Sequence, residues 1–406
     1  MRNKIGPFVG VDNRRHPSDL TVRDDRKVFD ALAAAVNVDL TDDGKLRRRA
    51  GYVLRNAPVH SLWGDGGPLG YGLMGSDLVA IDERGHSTVV VSALPERVPV
   101  SFTRRADVVW WSNGLRMGAI AGDTPLEMTP ALTSFPSALA DASGGLDAGT
   151  YMLVFSLSGP LGEGPATEPL VVQVPESGGI ELYGLVETPG FELNCYMTGA
   201  NGTTFNAVQL ARFQDRARIA TPDDDGALCE VIGLVPLPRG TTLRSHKARL
   251  LSAKDHVLYY SEPFAPQLTR PTNYIAFEDV IRMVRPCGDG VFVATSRATY
   301  WLEGEITQAS LVQVLPFGAT HGSDSVSHKD PGTVYWFSPE GVVRGLENGH
   351  VHAVQRHRLA QGAARAAATY ERERDGQLHV IAAIESPEET KGAVYASIGA
   401  EIIRRV

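Results

Sequence analysis

The chain has 406 residues, 43% hydrophobic and 21% charged, with 42 Gly, 25 Pro and a formal net charge of −8. That apolar share excludes wholesale disorder, the Gly and Pro usage suits tight turns and all-β structure, and the acidic balance excludes the basic footprint of a free-standing DNA binder. The length suggests two or three domains unless a repeat fold is present. Cys195, Cys229 and Cys287 lie far apart. An odd count at such spacing argues against a disulfide framework or a zinc site, so reduced, mostly buried thiols are expected. Residues 1–10 lack the apolar core of a signal peptide, and no stretch reaches the ~18 apolar residues of a membrane helix. The expectation is a soluble chain made in the cytosol, without membrane insertion.

Residues 1–56 form an N-terminal arm with a closing hairpin. Val28, Ala31, Leu32, Ala35 and Val36 follow an i, i+3, i+4 spacing, which predicts a short helix. Asp42-Asp43-Gly44 is a turn signal between 36–40 and 45–53, which predicts a hairpin. Residues 57–142 read as the first propeller part. Strands are expected at 72–75, 78–81 and 88–91, and Val108-Val109-Trp110-Trp111-Ser112 before Asn113-Gly114 opens another hairpin.

Residues 143–236 break this rhythm. A Ser/Ala/Gly linker is expected over 138–149, then about six short strands from Thr150 to Val208 with turns every 8–12 residues. That is the pattern of an inserted sandwich, and it resembles a fibronectin type III module, with Tyr196-Met197-Thr198 where the central strand would end.

Residues 237–406 restore the rhythm as the second propeller part. Strand-rich segments start at 291, 334 and 378, spaced by 43 and then 44 residues. A four-stranded blade takes about 40–45 residues. Starts near 73, 108, 257, 291, 334 and 378 give about six blades, with the N-terminal hairpin placed to complete the last sheet. The Ala-rich stretch 356–372 predicts a helix on one rim. The fold class is therefore all-β: a propeller of about six blades with an inserted sandwich.

Candidate chemistry is sparse. Residues 327–336, Ser-His-Lys-Asp-Pro-Gly-Thr-Val-Tyr-Trp, loosely resemble the Asp-box turn of sialidase-like propellers, with one residue too many between Ser327 and Asp330. A β-turn before a blade strand is the simpler reading, because glycosidase chemistry needs a placed pair of acidic groups, or a tyrosine nucleophile with an acid partner, and the sequence places neither. His350, His352 and His357 cluster near Glu347, yet no further ligand has metal-site spacing, so surface histidines are favoured. Asp223-Asp224-Asp225-Gly226 lacks the ligand spacing of a calcium loop. Arg47-Arg48-Arg49 with Arg55 reads as a charge-guarded edge strand that could pair with an acidic neighbouring subunit. Gly64, Gly66, Gly67, Gly70 and Gly72 do not form a phosphate cradle, and Trp110-Trp111 and Tyr335-Trp336 are expected in cores. No catalytic, cofactor-binding or metal-binding residue is assigned.

Two sets of phrases carry a resemblance. One is Gly10-Val11-Asp12-Asn13, Ala35-Val36-Asn37-Val38-Asp39-Leu40, Gly44-Lys45-Leu46-Arg47-Arg48-Arg49 and Gly51-Tyr52. The other is 257–263 (Val-Leu-Tyr-Tyr-Ser-Glu-Pro), Ile275-Ala276-Phe277, 291–295 and 299–304. Together they resemble the β-propeller tail nozzle or hub proteins of short-tailed bacteriophages over most of the chain. The resemblance implies a structural virion protein of the tail, not an enzyme and without cofactor. It also implies a homo-hexameric ring below the portal and adaptor rings, with genome DNA passing through the lumen unbound and tail fibres or a needle attached. The competing readings are a carbohydrate-binding or sialidase-like propeller of a receptor-binding apparatus, and a plain propeller adaptor in a host pathway.

Overall fold

The computed structural model describes all residues except 1–6, 25–26, 35–37, 42–43, 49–58, 97, 186, 222–225, 355–363, 375–376, 386–399 and 405–406. Among the described residues, strands and one short 3-10 turn (Pro17–Asp19) make up the regular structure. The chain divides into two compact units. One comprises Met1–Pro58, Ala253–Leu258 and Ile275–Val406; the other comprises Val59–Ser252 and Tyr259–Tyr274.

The second unit opens with two four-stranded meanders. His60–Trp63, Leu69–Met74, Asp77–Asp82 and Ser87–Val91 pair in chain order, as do Ser101–Arg105, Val108–Ser112, Met117–Ala121 and Thr124–Leu126. Adjacent side chains of a strand face opposite ways, and this period sorts the tandem tryptophans. Trp111 packs with Tyr71, Leu73, Leu78 and Phe102 on one face. Trp110 packs with Ala119, Leu237, Leu243 and Leu250 on the other. Both indoles are nearly fully buried, as core packing predicts. Gly70 and Gly72 lie within Leu69–Met74, so this glycine group is partly strand.

Next in the same unit comes a two-sheet sandwich. Ser137–Leu146, Gly178–Tyr183, Arg216–Ile219 and Ala211–Phe213 form one sheet. Gly162–Glu163, Gly149–Gly159, Glu192–Met197 and Asn206–Ala207 form the other, with Leu170–Val174 also paired to Gly149–Gly159. The first two strands thus lie in opposite sheets. Leu153, Phe155, Leu157, Ile180, Leu182 and Ile219 meet between them. The linker expected at 138–149 is corrected here: Ser137–Leu146 is a ten-residue strand laddered onto Gly178–Tyr183. Its small polar residues are mostly exposed, so hydrophobic periodicity could not reveal it.

Thr242–His246, Arg249–Lys254, Val257–Tyr260 and Tyr274–Ala276 form a further four-stranded sheet in chain order. The first unit then holds two complete meanders. These are Ile281–Cys287, Gly290–Thr295, Thr299–Glu303 and Ser310–Leu315, and then Ser325–Val326, Thr333–Ser338, Gly341–Leu346 and Val351–Ala353. A three-stranded sheet follows: Ala366–Arg374, Gln377–Glu385 and, in parallel, Ala400–Arg404. These repeated antiparallel meanders, with apolar residues on both faces, are the blades of an all-β propeller fold. Gly290–Thr295 and Thr333–Ser338 are buried at every position, as strands covered on both faces must be. Val334, Trp336 and Val343 pack with Phe292 and Trp301, whereas Tyr335, Phe337 and Val342 pack with Val380, Ala382 and Ile384.

Two helix predictions fail. Lys27–Leu32 is a strand between Thr21–Asp24 and Phe8–Val11, because ladder pairing of a Val-Phe segment outweighs a weak helical spacing. Ala366–Arg374 is also a strand. Ala367, Thr369 and Glu371 are buried, while Ala368 and Tyr370 are exposed, a period of two. The preceding residues 355–363 lie outside those described. The N-terminal hairpin exists, as Val38–Leu40 paired with Leu46–Arg48. It forms its own two-stranded sheet, so among the described residues it does not complete the last blade by strand pairing. Side-chain links within this unit take that place: Arg14 pairs with Glu340 at 2.7 Å, and Arg372 reaches Asp39 at 4.0 Å.

Candidate functional site

The Ser327 to Thr333 segment is a closed turn. Ser327 Oγ accepts the Asp330 N–H at 3.2 Å, and Thr333 Oγ1 and the Gly332 N–H donate to the Asp330 carboxylate at 2.5 and 3.2 Å. Ser327 N–H donates to Thr333 O at 3.0 Å, and His328 N–H to the buried Glu371 at 2.6 Å. Asp330 is thus used by its own turn, with Arg344 3.9 Å away. His350 and His352 are both exposed. His357, Arg49, Arg55 and Asp223 to Asp225 lie outside the described residues. Among the described residues, no group of three or more His, Cys, Asp or Glu side chains gathers as metal ligands would.

The densest polar constellation is one that sequence reasoning missed. It lies in the second unit on the sandwich sheet of Gly149–Gly159 and Glu192–Met197. Even-numbered residues of the first strand, Val154 and Ser156, point away from the sandwich core. The Gly162–Glu163 hairpin turns Glu163 over that face. Glu163 Oε1 accepts the Ser156 hydroxyl, the Tyr196 hydroxyl at 2.9 Å and the Asn194 amide at 3.5 Å. Asn194 also donates to Ser158 Oγ at 2.7 Å, and Gln267 donates to Glu163 O at 2.7 Å. Burial and then the Glu163 carboxylate push the Tyr196 phenol well above its ordinary range. The Gln267 contact alone reaches 104 residues along the sequence, so no local motif could have announced the set.

One carboxylate, a phenol that stays protonated and two hydroxyls make a hydrogen-bonded clamp. The clamp fixes the 159–165 loop against the sheet.

Burial raises the thiols as well: Cys195 to about 12, Cys229 and Cys287 to about 11. These groups hold their protons in the native state after unfolded thiols, near their ordinary 9.0, have lost them. Their contribution to stability is full below that value and is lost as pH rises through the native values. Urea midpoints are therefore expected to hold from neutrality to about pH 9 and then fall, with free thiols near neutrality titrated only after unfolding.

No family model matches the chain, and no curated protein matches it. Solved structures similar to it include BBS1N in complex with ARL6DN, at 10% identity over 92% of this chain and 94% of that one, TM-score 0.31. KlHsv2 with loop 6CD replaced by a Gly-Ser linker is 8% identical over 78% and 85%, TM-score 0.28. A protein of unknown function from Bacteroides caccae is 12% identical over 70% and 92%, TM-score 0.26. Likenesses this low carry no argument about this chain, whose fold rests on the strand orders above.

Proposed function

We propose that this chain is a structural protein of a bacteriophage tail. Six copies form a nozzle or hub ring below the portal and adaptor, genome DNA passes through the lumen, and fibres or a needle attach outside. The observation that carries the reading is the N-terminal arm, where the residues of the resembling phrases occupy structural pivots. Asp12 is buried and accepts the N–H groups of Arg14 and Arg15, each at 3.2 Å. Gly44 has φ +71°, and a Cβ there would lie 2.5 Å from Pro7 Cβ. Phe8 N–H donates to Gly44 O at 2.8 Å, binding the arm's start to its hairpin. Asp39, buried in that hairpin, faces Arg372. These positions matter to an arm held on a blade stack and have no evident use in a free pocket.

The net charge of −8 suits a conduit, since an acidic wall repels phosphates and does not trap them. The carbohydrate-active reading draws on the Ser327 turn and on aromatic pairs able to stack sugars; Asp330 is occupied by the turn's own donors, and Trp110, Trp111, Tyr335 and Trp336 are buried. Electron microscopy of the purified chain beside its source particle tests the proposal. A six-fold ring with a DNA-sized hole, matching density beneath a portal, is expected. A monomer absent from any tail would overturn it.

A further inference from the structure

Among the described residues, Ser310–Leu315 is the terminal strand of its blade, with no further strand paired to it. Its sequence, Ser-Leu-Val-Gln-Val-Leu, has no charge and no proline. Ser310 through Gln313 are exposed, with Leu311 and Val312, on opposite faces, each 46% exposed. Natural edge strands are blunted by charge, proline, bulges or a cover, because an open ladder recruits another strand. The irregularity in this strand lies between its partners Thr299 and Tyr300, which leaves 310–313 in regular register. The same unit carries a matching element. Among the described residues, Val38–Leu40 and Leu46–Arg48 form a two-stranded sheet, which is marginal by itself. All three residues of Leu46–Arg48 are exposed, Leu46 at 43%.

We propose that Leu46–Arg48 of one copy adds antiparallel to Ser310–Leu315 of the next, with Leu46 opposite Val312 and Arg48 opposite Ser310. Side-chain alternation puts both pairs on one face. On that face Val312 is paired with Trp301 and Ser310 with Glu303. Leu46 therefore extends an apolar row. Arg48 reaches across the small Ser310 to the exposed Glu303, an opposite charge placed where the register needs it. Two different edges meeting head to tail make a heterologous contact, the kind that closes a ring. The inference rests on the ring reading above and names its contact.

The test uses the full chain and mixes two variants, Leu46→Cys and Val312→Cys, under mild oxidation. Covalent dimers are expected only in the mixture, because facing residues of an antiparallel pair bring their Cβ atoms within about 4.5–5.5 Å. Val312→Lys, at an exposed site, is expected to keep native circular dichroism and lose the ring in light scattering. Arg48→Glu is expected to weaken the ring, and adding Glu303→Arg to restore it. A wild-type ring that survives Val312→Lys and yields no mixed dimer overturns this contact and leaves the ring reading intact. A wild-type chain that is monomeric alone and in its particle overturns both. Cross-linking of Val312→Cys to a different tail protein in the particle also overturns the contact.

Discussion

Replacing Trp336 by alanine is expected to cost the first unit about 3–5 kcal/mol, the range for removing a buried Trp or Phe side chain. Trp336 has no exposed surface and stands at one end of a row of three rings. Its ring centroid lies 5.3 Å from that of Phe292, which in turn lies 4.5 Å from Trp301. The site cannot collapse easily. Gly345 already approaches so closely that a Cβ there would stand 2.7 Å from Phe292 and 2.8 Å from Trp336. A cavity at this point would separate the 281–315 blade from the 325–353 blade, whose facing residues supply the same cluster. Trp336→Phe is expected to cost clearly less. It keeps the ring stack and removes an indole N–H that is buried without a partner among the described residues. Denaturant unfolding followed by circular dichroism measures both. A loss below about 1 kcal/mol for the alanine variant would mean that the two blades are not packed as described.

The second large effect is expected at Glu163. Glu163→Ala removes the one acceptor shared by Ser156, Asn194 and Tyr196. Tyr196 is 7% exposed, so its hydroxyl cannot turn freely to solvent. A lost hydrogen bond to a charged group costs about 1.5–3 kcal/mol, and a buried donor left unsatisfied adds to it. The second unit should therefore lose about 2–4 kcal/mol. Tyr196→Phe in the same background separates these contributions. The double variant should be less destabilised than the sum of the singles, since removing both partners leaves no orphan. Strict additivity would show that the clamp is not formed. Any enzyme-like role would instead appear as a change in turnover without a change in unfolding midpoint.

What sequence could reveal here follows from how each element is stabilised. Gly290–Thr295 and Thr333–Ser338 are buried on both faces, so they read as unbroken apolar runs and were found within a residue. The tandem pairs Trp110-Trp111 and Tyr335-Trp336 were legible as core for the same reason. Ser137–Leu146 was not legible, because its ladder and the ion pair between Asp141 and Arg218 hold it, and neither leaves a hydrophobic period. In Ala366–Arg374 the high helix propensity of alanine opposed nine ladder positions against Gln377–Glu385, and the ladder prevailed. The Glu163 clamp was hidden by distance along the chain. The Ser327 turn was legible as a turn, since Ser, Asp, Pro and Gly each act on backbone close by.

The insertion of the sandwich between blades has a consequence for synthesis. Leu243 N–H donates to Ser101 Oγ across 142 residues of chain. Trp110 and Ala119 find Leu243 and Leu250 over a similar stretch of chain. At about 5–20 residues per second, a ribosome needs roughly 7–28 s to deliver that partner strand. During this wait the outer face of the Ser101–Leu126 sheet stands bare in the nascent chain, while the sandwich emerges complete and can fold behind it. The second blade would then be the point at which a holdase chaperone engages this chain, and slowing translation within the sandwich would prolong that engagement.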